Sequence, residues 1–139
     1  MKTSVNLEWK EKMHFIGDIA GYKINIDADP SVGGEGNGPS PKPFIMLSLA
    51  GCTALDVISI LGKMQVKLDD FNIKVEGLTA DEHPKKYLEI HLIYLFKGKD
   101  IPAEKVERAI SLSQQKYCGV FATLKDTVKL TSEYRINQD

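Results

Sequence analysis

Net charge, cysteine and arginine are all scarce in this sequence of 139 residues, and each shortage limits what the chain can do. The formal net charge is −1, so the chain lacks the basic surface that binds nucleic acid. Its two cysteines, Cys52 and Cys118, are too few for a disulfide scaffold and lack the spacing of a zinc site. The three histidines, His14, His83 and His91, also lack metal-ligand spacing. We therefore predict no bound metal and no nucleic-acid partner.

Two further kinds of signal are missing. Neither a P-loop nor a GxGxxG motif is present, so we predict no nucleotide and no other cofactor. Met1-Lys2-Thr3 leads directly into an alternating pattern rather than into the apolar segment of a signal peptide. We therefore expect a cytoplasmic protein.

One long stretch, from Pro41 to Lys63, is apolar on nearly every side. On a helical wheel its apolar residues cover well over half of the circumference, more than the single stripe of a surface helix. These residues are Phe44, Ile45, Met46, Leu47, Leu49, Ala50, Ala54, Leu55, Val57, Ile58, Ile60 and Leu61. Asp56 lies near the centre, where a carboxylate in lipid would cost about 2.5–3.5 kcal/mol. The pattern therefore predicts a buried central helix of a soluble protein and no membrane span.

A helix this apolar needs more cover than a chain of this length supplies. A single small domain has a modest core, and one sheet covers only one face of a helix. A second copy of the chain is the simplest source of the missing cover. We therefore expect a homodimer with a large apolar interface.

The rest of the chain predicts an α+β fold with the element order βββαββαβ, in a single domain spanning residues 1–139. Alternating apolar and polar residues indicate strands near residues 4–10, 13–19, 22–26, 71–80, 87–97 and 128–136. We expect antiparallel sheets packed on the central helix, and a second helix from about Pro102 to Cys118. The glycine-rich residues 27–40 fit no phosphate motif, so we interpret them as a mobile connector that could also form a lip over a site.

Five short stretches resemble the OsmC/Ohr family, named for osmotically induced proteins and organic hydroperoxide resistance proteins. They read GPSP from Gly38, AGCTALDV from Ala50, EHPK from Glu82, IHL from Ile90 and LSQQKYC from Leu112. The resemblance covers nearly the whole chain in a consistent order. It implies an OsmC-like fold and an intertwined homodimer in which sheets enclose two central helices.

The resemblance also implies an activity, the thiol-dependent reduction of organic hydroperoxides in oxidative-stress defence. In that activity Cys52 is the peroxidatic cysteine and Cys118 is the resolving cysteine that forms a disulfide with it. A dithiol reductant is then implied as a partner. Phe44, Leu47, Thr53, Val120 and Phe121 are candidates to line an apolar substrate pocket.

The chain departs from the family at two activating positions. Family peroxidases carry an arginine in the first strands, whereas the arginines here are Arg108 and Arg135. They also carry a glutamate about three turns before the cysteine, where this chain has Lys42 and Pro43. Activation of the Cys52 thiolate therefore needs another cation, and Lys42, Lys63 or a lysine of a partner chain are candidates.

Near Cys52, two polar residues have more than one interpretation. Asp56, one helical turn further on, could when protonated donate a hydrogen bond to the leaving hydroxide, or could cap or pair with a buried polar group at the dimer interface, which we favour. Thr53 could bond a substrate, or could bond back to the carbonyl of Leu49, which we favour. Spacing alone makes Cys52 a small core residue, and only the family resemblance indicates a redox role.

Three other interpretations remain open at this point. The chain could be a non-enzymatic redox sensor, or a dimer that binds small apolar ligands on the same fold. It could also be a structural dimer with inert, buried cysteines. Turnover with a dithiol separates an enzyme from a sensor, because a sensor is oxidised once and stops.

Overall fold

The strands and the two main helices follow one another along the chain in the order that the sequence predicts. The computed structural model describes residues 1–138. The strands are β1 (Asn6–Glu11), β2 (His14–Ile19), β3 (Tyr22–Ile26), β4 (Asp70–Thr79), β5 (Tyr87–Lys97) and β6 (Lys129–Ile136). The α-helices are α1 (Phe44–Lys63), α2 (Ala103–Leu112) and α3 (Gly119–Leu124), with a 3-10 helix at Pro30–Val32 and a π-helical turn at Ser113–Tyr117. The α+β class is confirmed.

The strands form two three-stranded sheets, ordered β1-β2-β3 and β4-β5-β6. All pairs in the first sheet and the β4–β5 pair are antiparallel, as the sequence predicts. The prediction of purely antiparallel sheets is wrong for β6, which pairs parallel to β5. The reason is the connection: the chain between β5 and β6 forms helices and crosses over, and a crossover of this kind joins parallel strands.

Contacts within the chain group it into two compact units, residues 1–44 and the residues from Ile45 on. The first unit is the β1–β3 meander and the loop that follows it. The apolar face predicted for β1 is exposed in the single chain, since Leu7 and Trp9 keep 60% and 63% of their surface. The predicted half-buried state of β1 therefore requires a covering surface that the single chain does not supply. The single-domain prediction stays a prediction.

The glycine-rich loop of the first unit is organised around one carboxylate, that of Asp27. Asp27 is buried, and its oxygens accept hydrogen bonds from the amides of Ala28, Glu35 and Asn37 and from the Asn37 side chain. Burial acts to raise the pKa of Asp27, but these hydrogen bonds outweigh it and hold the pKa below its ordinary value. The loop is thus a hydrogen-bonded structure, rather than the plain connector that the glycines suggest.

The second unit carries the core of the protein. One face of α1, formed by Leu49, Thr53, Val57 and Leu61, is fully buried. It belongs to one cluster with the apolar residues of β5 and α2, among them Ile90, Leu92, Tyr94, Phe96, Val106 and Ala109. β5 is the central strand of its sheet, which explains why it is the strongest apolar strand of the sequence.

α1 is by length and composition apolar enough to cross a membrane, but one side of it packs in a protein core. Only 28% of its most apolar stretch is buried within the chain. The opposite face remains exposed and includes Leu47, Leu55 and Ile58. The shortage of cover predicted from the sequence is therefore present in the single chain.

Candidate functional site

Cys52 lies in the middle of α1, at the border between its buried and exposed faces. Its side chain is half-buried and packs against the core cluster. The next residue, Thr53, is fully buried. The helix thus places the thiol at the edge of the core, where one side contacts protein and the other can be reached.

Cys118 lies where the helical segment after α2 breaks. The π-helical turn ends at Cys118, whose amide donates to the carbonyl of Ser113 at 2.7 Å. The same residue caps α3, because its sulfur accepts a hydrogen bond from the amide of Phe121 at 3.3 Å. π-helical turns of this kind occur frequently at functional sites. The thiol is held from both sides and is only 3% exposed.

The structure brings the two cysteines together. Cys52 packs against the core cluster that contains Cys118, its thiol lies near enough to act on the pKa of Cys118, and both are free thiols. The pKa of Cys118 is raised to about 11 from an ordinary value of 9.0. Burial is the main cause, and the nearby Cys52 thiol adds to it, while the amides of Phe121 and Val120 act in the opposite direction. Cys118 is therefore held as a neutral thiol near neutral pH.

A chain of hydrogen bonds runs through the core behind the thiols. The Thr53 hydroxyl lies 2.8 Å from the Tyr94 hydroxyl and 2.8 Å from the Ser113 hydroxyl. Ser113 donates in turn to Asp56 at 2.9 Å, and the Gln114 amide donates to Tyr94 at 3.2 Å. Each of these buried polar groups has a partner, as a stable core requires.

The network shows which partners Thr53 and Asp56 have within the chain. For Thr53 the favoured partner, the carbonyl of Leu49, is wrong, since the hydroxyl lies between Tyr94 and Ser113. For Asp56 the structure shows a pairing with a buried polar group, the hydroxyl of Ser113. The sequence could not show this, because Ser113 lies far along the chain.

Asp56 also faces an open cavity of about 120 Å³, lined by Asp56, Ser59, Ile60, Lys63 and Tyr117. The carboxylate thus joins the buried network to the solvent side of α1. Lys63 lies three turns beyond Cys52, about 16 Å along the helix axis at 1.5 Å per residue. Its ammonium is therefore too far from Cys52 to be the activating cation within the same chain.

The predicted pocket residues have different surroundings in the chain. Val120 and Phe121 follow Cys118 in α3 and pack half-buried against the core cluster. Leu47 is 66% exposed on the face of α1 away from Thr53. Phe44 is the first residue of α1 and is half-buried. Thr53 is fully buried with its hydroxyl already paired, so its predicted contact with a substrate stays a prediction.

Tyr94, Ser113 and Gln114 are parts of the site that were not predicted from the sequence. A signal was present for Ser113, which continues the apolar stripe of Val106, Ala109 and Ile110 at helical spacing. A hydroxyl in a buried stripe needs a buried partner. Tyr94 gave no such signal, because an aromatic residue in an apolar strand is usual.

A family model described as OsmC-like protein matches residues 34–133 of the chain. The chain belongs to this family. Protein YhfA of Escherichia coli K12 is 33% identical over 132 residues, which cover 94% of this chain and 95% of YhfA.

Solved structures show the same fold. A hypothetical protein from Aquifex aeolicus is 27% identical with a TM-score of 0.83, and the match covers 99% of each chain. An organic hydroperoxide resistance protein OsmC from Legionella pneumophila has a TM-score of 0.67 at 13% identity, with 96% of each chain covered. At 13% identity, the similarity to the Legionella pneumophila protein shows the fold alone.

Proposed function

We propose that this protein is a homodimeric, thiol-dependent peroxidase that reduces organic hydroperoxides in the cytoplasm, as part of oxidative-stress defence. The observation that carries the proposal is the proximity of Cys52 and Cys118, since Cys52 packs against the core cluster that contains Cys118 and acts on its pKa. The two cysteines are far apart in the chain, and proximity in space is what a peroxidatic and a resolving thiol require. Membership of the OsmC-like family and the hydroperoxide-resistance protein among the structural neighbours support it.

The proposed reaction has three steps. The Cys52 thiolate attacks a peroxide oxygen, which breaks the O–O bond, leaves a sulfenic acid on Cys52 and releases an alcohol once the alkoxide takes a proton. The Cys118 sulfur then attacks the sulfenic sulfur, so that a Cys52–Cys118 disulfide forms and water leaves. A dithiol reductant restores both thiols by exchange and becomes a disulfide itself.

The surroundings of the thiols favour an organic substrate. Val120 and Phe121 pack beside Cys118, and Cys52 lies on an apolar helix. An apolar site of this kind suits an alkyl or acyl hydroperoxide better than hydrogen peroxide. In this proposal Asp56, which faces the open cavity, is the candidate proton donor or acceptor for the leaving group.

The homodimer is supported by apolar surface that the chain leaves exposed. On α1 this surface includes Leu47, Leu55 and Ile58, and on β1 it includes Leu7 and Trp9. Exposed apolar patches on soluble proteins mark interaction sites. A second copy of the chain, with the same two surfaces, is the partner we propose.

A second candidate function is a redox sensor or a small-ligand binder on the same fold. Two observations favour it. The arginines lie on α2 and β6, Arg108 and Arg135, and not in the first strands. The raised pKa of Cys118 also leaves little of its thiolate at neutral pH, which disfavours turnover through a Cys52–Cys118 disulfide.

A stopped-flow reaction of the reduced protein with cumene hydroperoxide and, separately, hydrogen peroxide distinguishes these functions. A peroxidase loses two thiols per chain, faster with cumene hydroperoxide, and turns over when a dithiol is added. Cys52→Ser abolishes the reaction, and Cys118→Ser leaves a first step without a disulfide. A sensor is oxidised once and stops. Thiols that react only after denaturation would contradict the peroxidase and the redox sensor, and would leave a ligand-binding or structural dimer.

A further inference from the structure

Ser113 is hydrogen-bonded to Cys118 and to two residues that flank Cys52 on α1. Its hydroxyl bonds Thr53, which follows Cys52 directly, and Asp56, which lies one turn beyond Cys52. Its carbonyl accepts the amide of Cys118 at 2.7 Å. The side chain is completely buried. One residue therefore links the helical turn that carries Cys52 to the π-helical turn that carries Cys118.

The hydrogen bonds of this network have a single order of donor and acceptor, from Gln114 to Asp56. A serine hydroxyl has a single proton, and that of Ser113 goes to Asp56. Thr53 must then donate to Ser113, and Tyr94 must donate to Thr53. The amide of Gln114 donates to Tyr94 at the far end. The series of hydrogen bonds thus ends at the Asp56 carboxylate. Aligned hydrogen bonds of this kind strengthen one another in a core.

We infer that Ser113 is a positioning residue that holds the sulfur of Cys118 against that of Cys52. The inference rests on the proposed redox role of the two cysteines, but not on the peroxide as the oxidant. Disulfide formation joins the two sulfurs at about 2.05 Å and needs a narrow geometry. A side chain that fixes both turns raises the effective concentration of one thiol toward the other.

The test measures the disulfide equilibrium in glutathione buffers, where no peroxide is needed. Oxidised glutathione takes two electrons from the thiols through a mixed disulfide, and two reduced glutathione molecules leave as the protein disulfide forms. We expect Ser113→Ala to lower the equilibrium constant for the Cys52–Cys118 disulfide about tenfold, a rise of ~30 mV in reduction potential. Ser111→Ala, the same substitution two residues earlier on α2, is the matched control and leaves the constant within about twofold.

A second pair of variants separates positioning from general loss of packing. Thr53→Val keeps the shape of the side chain and removes the hydroxyl that bonds Ser113. Thr53→Ser keeps the hydroxyl and removes only a methyl group. We expect Thr53→Val to lower the disulfide constant severalfold, and Thr53→Ser to restore most of it. If Ser113→Ala fails to fold, this pair decides the question alone.

The outcomes keep this inference distinct from the proposed function. A folded Ser113→Ala protein with an unchanged constant would overturn the positioning role, as would equal effects of Thr53→Val and Thr53→Ser. A wild-type protein that forms no Cys52–Cys118 disulfide in any glutathione buffer would overturn it too. A wild-type disulfide that responds to Ser113→Ala, in a protein that does not consume peroxide, would retain the inference and remove the peroxidase.

Discussion

Both faces of α1 carry apolar residues in the sequence, but they have opposite surroundings in the chain. Leu49, Val57 and Leu61 are buried against β5 and α2. Leu55 and Ile58, on the other side, keep 75% and 49% of their surface exposed. The comparison teaches that apolar content alone does not tell which face a chain covers by itself. The buried face carries the polar network of the candidate site, and the exposed face is the surface that we assign to a second copy.

The largest effect is expected from a charge on the exposed face. Leu55→Arg would place a guanidinium charge without a partner in an apolar interface, which costs several kcal/mol. We expect the dimer to dissociate at least ~100-fold more readily while the chain stays folded. Sedimentation equilibrium over a range of protein concentrations measures this.

Asp126→Arg is the control for that prediction, since Asp126 lies exposed in the turn after α3 and far along the chain from the apolar face of α1. It should leave the association unchanged. An unaltered dimer in the Leu55→Arg variant, or a monomeric wild type, would refute the role given to this face.

A smaller effect is expected when one leucine is removed from each face of α1, and the two losses of stability should have different causes. Leu49→Ala opens a cavity in the buried core and should lower the free energy of unfolding by about 2–5 kcal/mol. Leu47→Ala removes a side chain that is 66% exposed in the chain, so its effect should act through association. Chemical denaturation at two protein concentrations tests this, because only a loss that acts through the dimer depends on concentration.

The distinction between the two faces of α1 would be contradicted if Leu49→Ala and Leu47→Ala lowered stability in the same way. Equal losses at every concentration would place Leu47 in a core of the chain's own. A negligible loss for Leu49→Ala would show that the buried face of α1 is not packed as the structure has it.

The smallest effect concerns Cys118, at the end of the buried network. Its pKa in the folded protein, about 11, lies above its ordinary value of 9.0, so folding favours the neutral thiol. The resulting stability is fully present below about pH 9 and is lost as the pH rises toward about 11. We expect stability to fall more steeply over this range in the wild type than in Cys118→Ala. Denaturant midpoints measured between pH 8 and pH 11 test this, and parallel curves would contradict the buried thiol.

Much of this fold could be predicted from the sequence because local patterns determine it. The bounds of β3 and β5 agree with their alternation, and α1 follows from its continuous apolar residues. The parallel pairing of β6 could not be predicted from its own residues, since an alternating strand looks the same in either direction. The hydrogen bonds from the loop amides to Asp27 could not be predicted either, because glycine-rich loops of the same composition are ordinarily plain connectors.

The candidate site divides in a similar way. Cys52 and Cys118 could be named from short motifs, and Asp56 from its spacing to Cys52. Ser113 and Tyr94 could not be joined to them, because their contacts connect α1, β5 and the π-helical turn across the core. Such contacts depend on packing, and a single sequence does not display packing. The placement of Leu47 depends on a partner chain and stays a prediction.

The most direct test of the account is to map the thiols after one equivalent of cumene hydroperoxide. The reduced protein is oxidised, blocked, digested without reductant and examined by mass spectrometry. The account predicts one linked peptide pair that joins Cys52 to Cys118 within the same chain, lighter by two hydrogen atoms than the two thiol peptides together. Recovery of both cysteines as free thiols, or of Cys52 overoxidised beside an untouched Cys118, would contradict it.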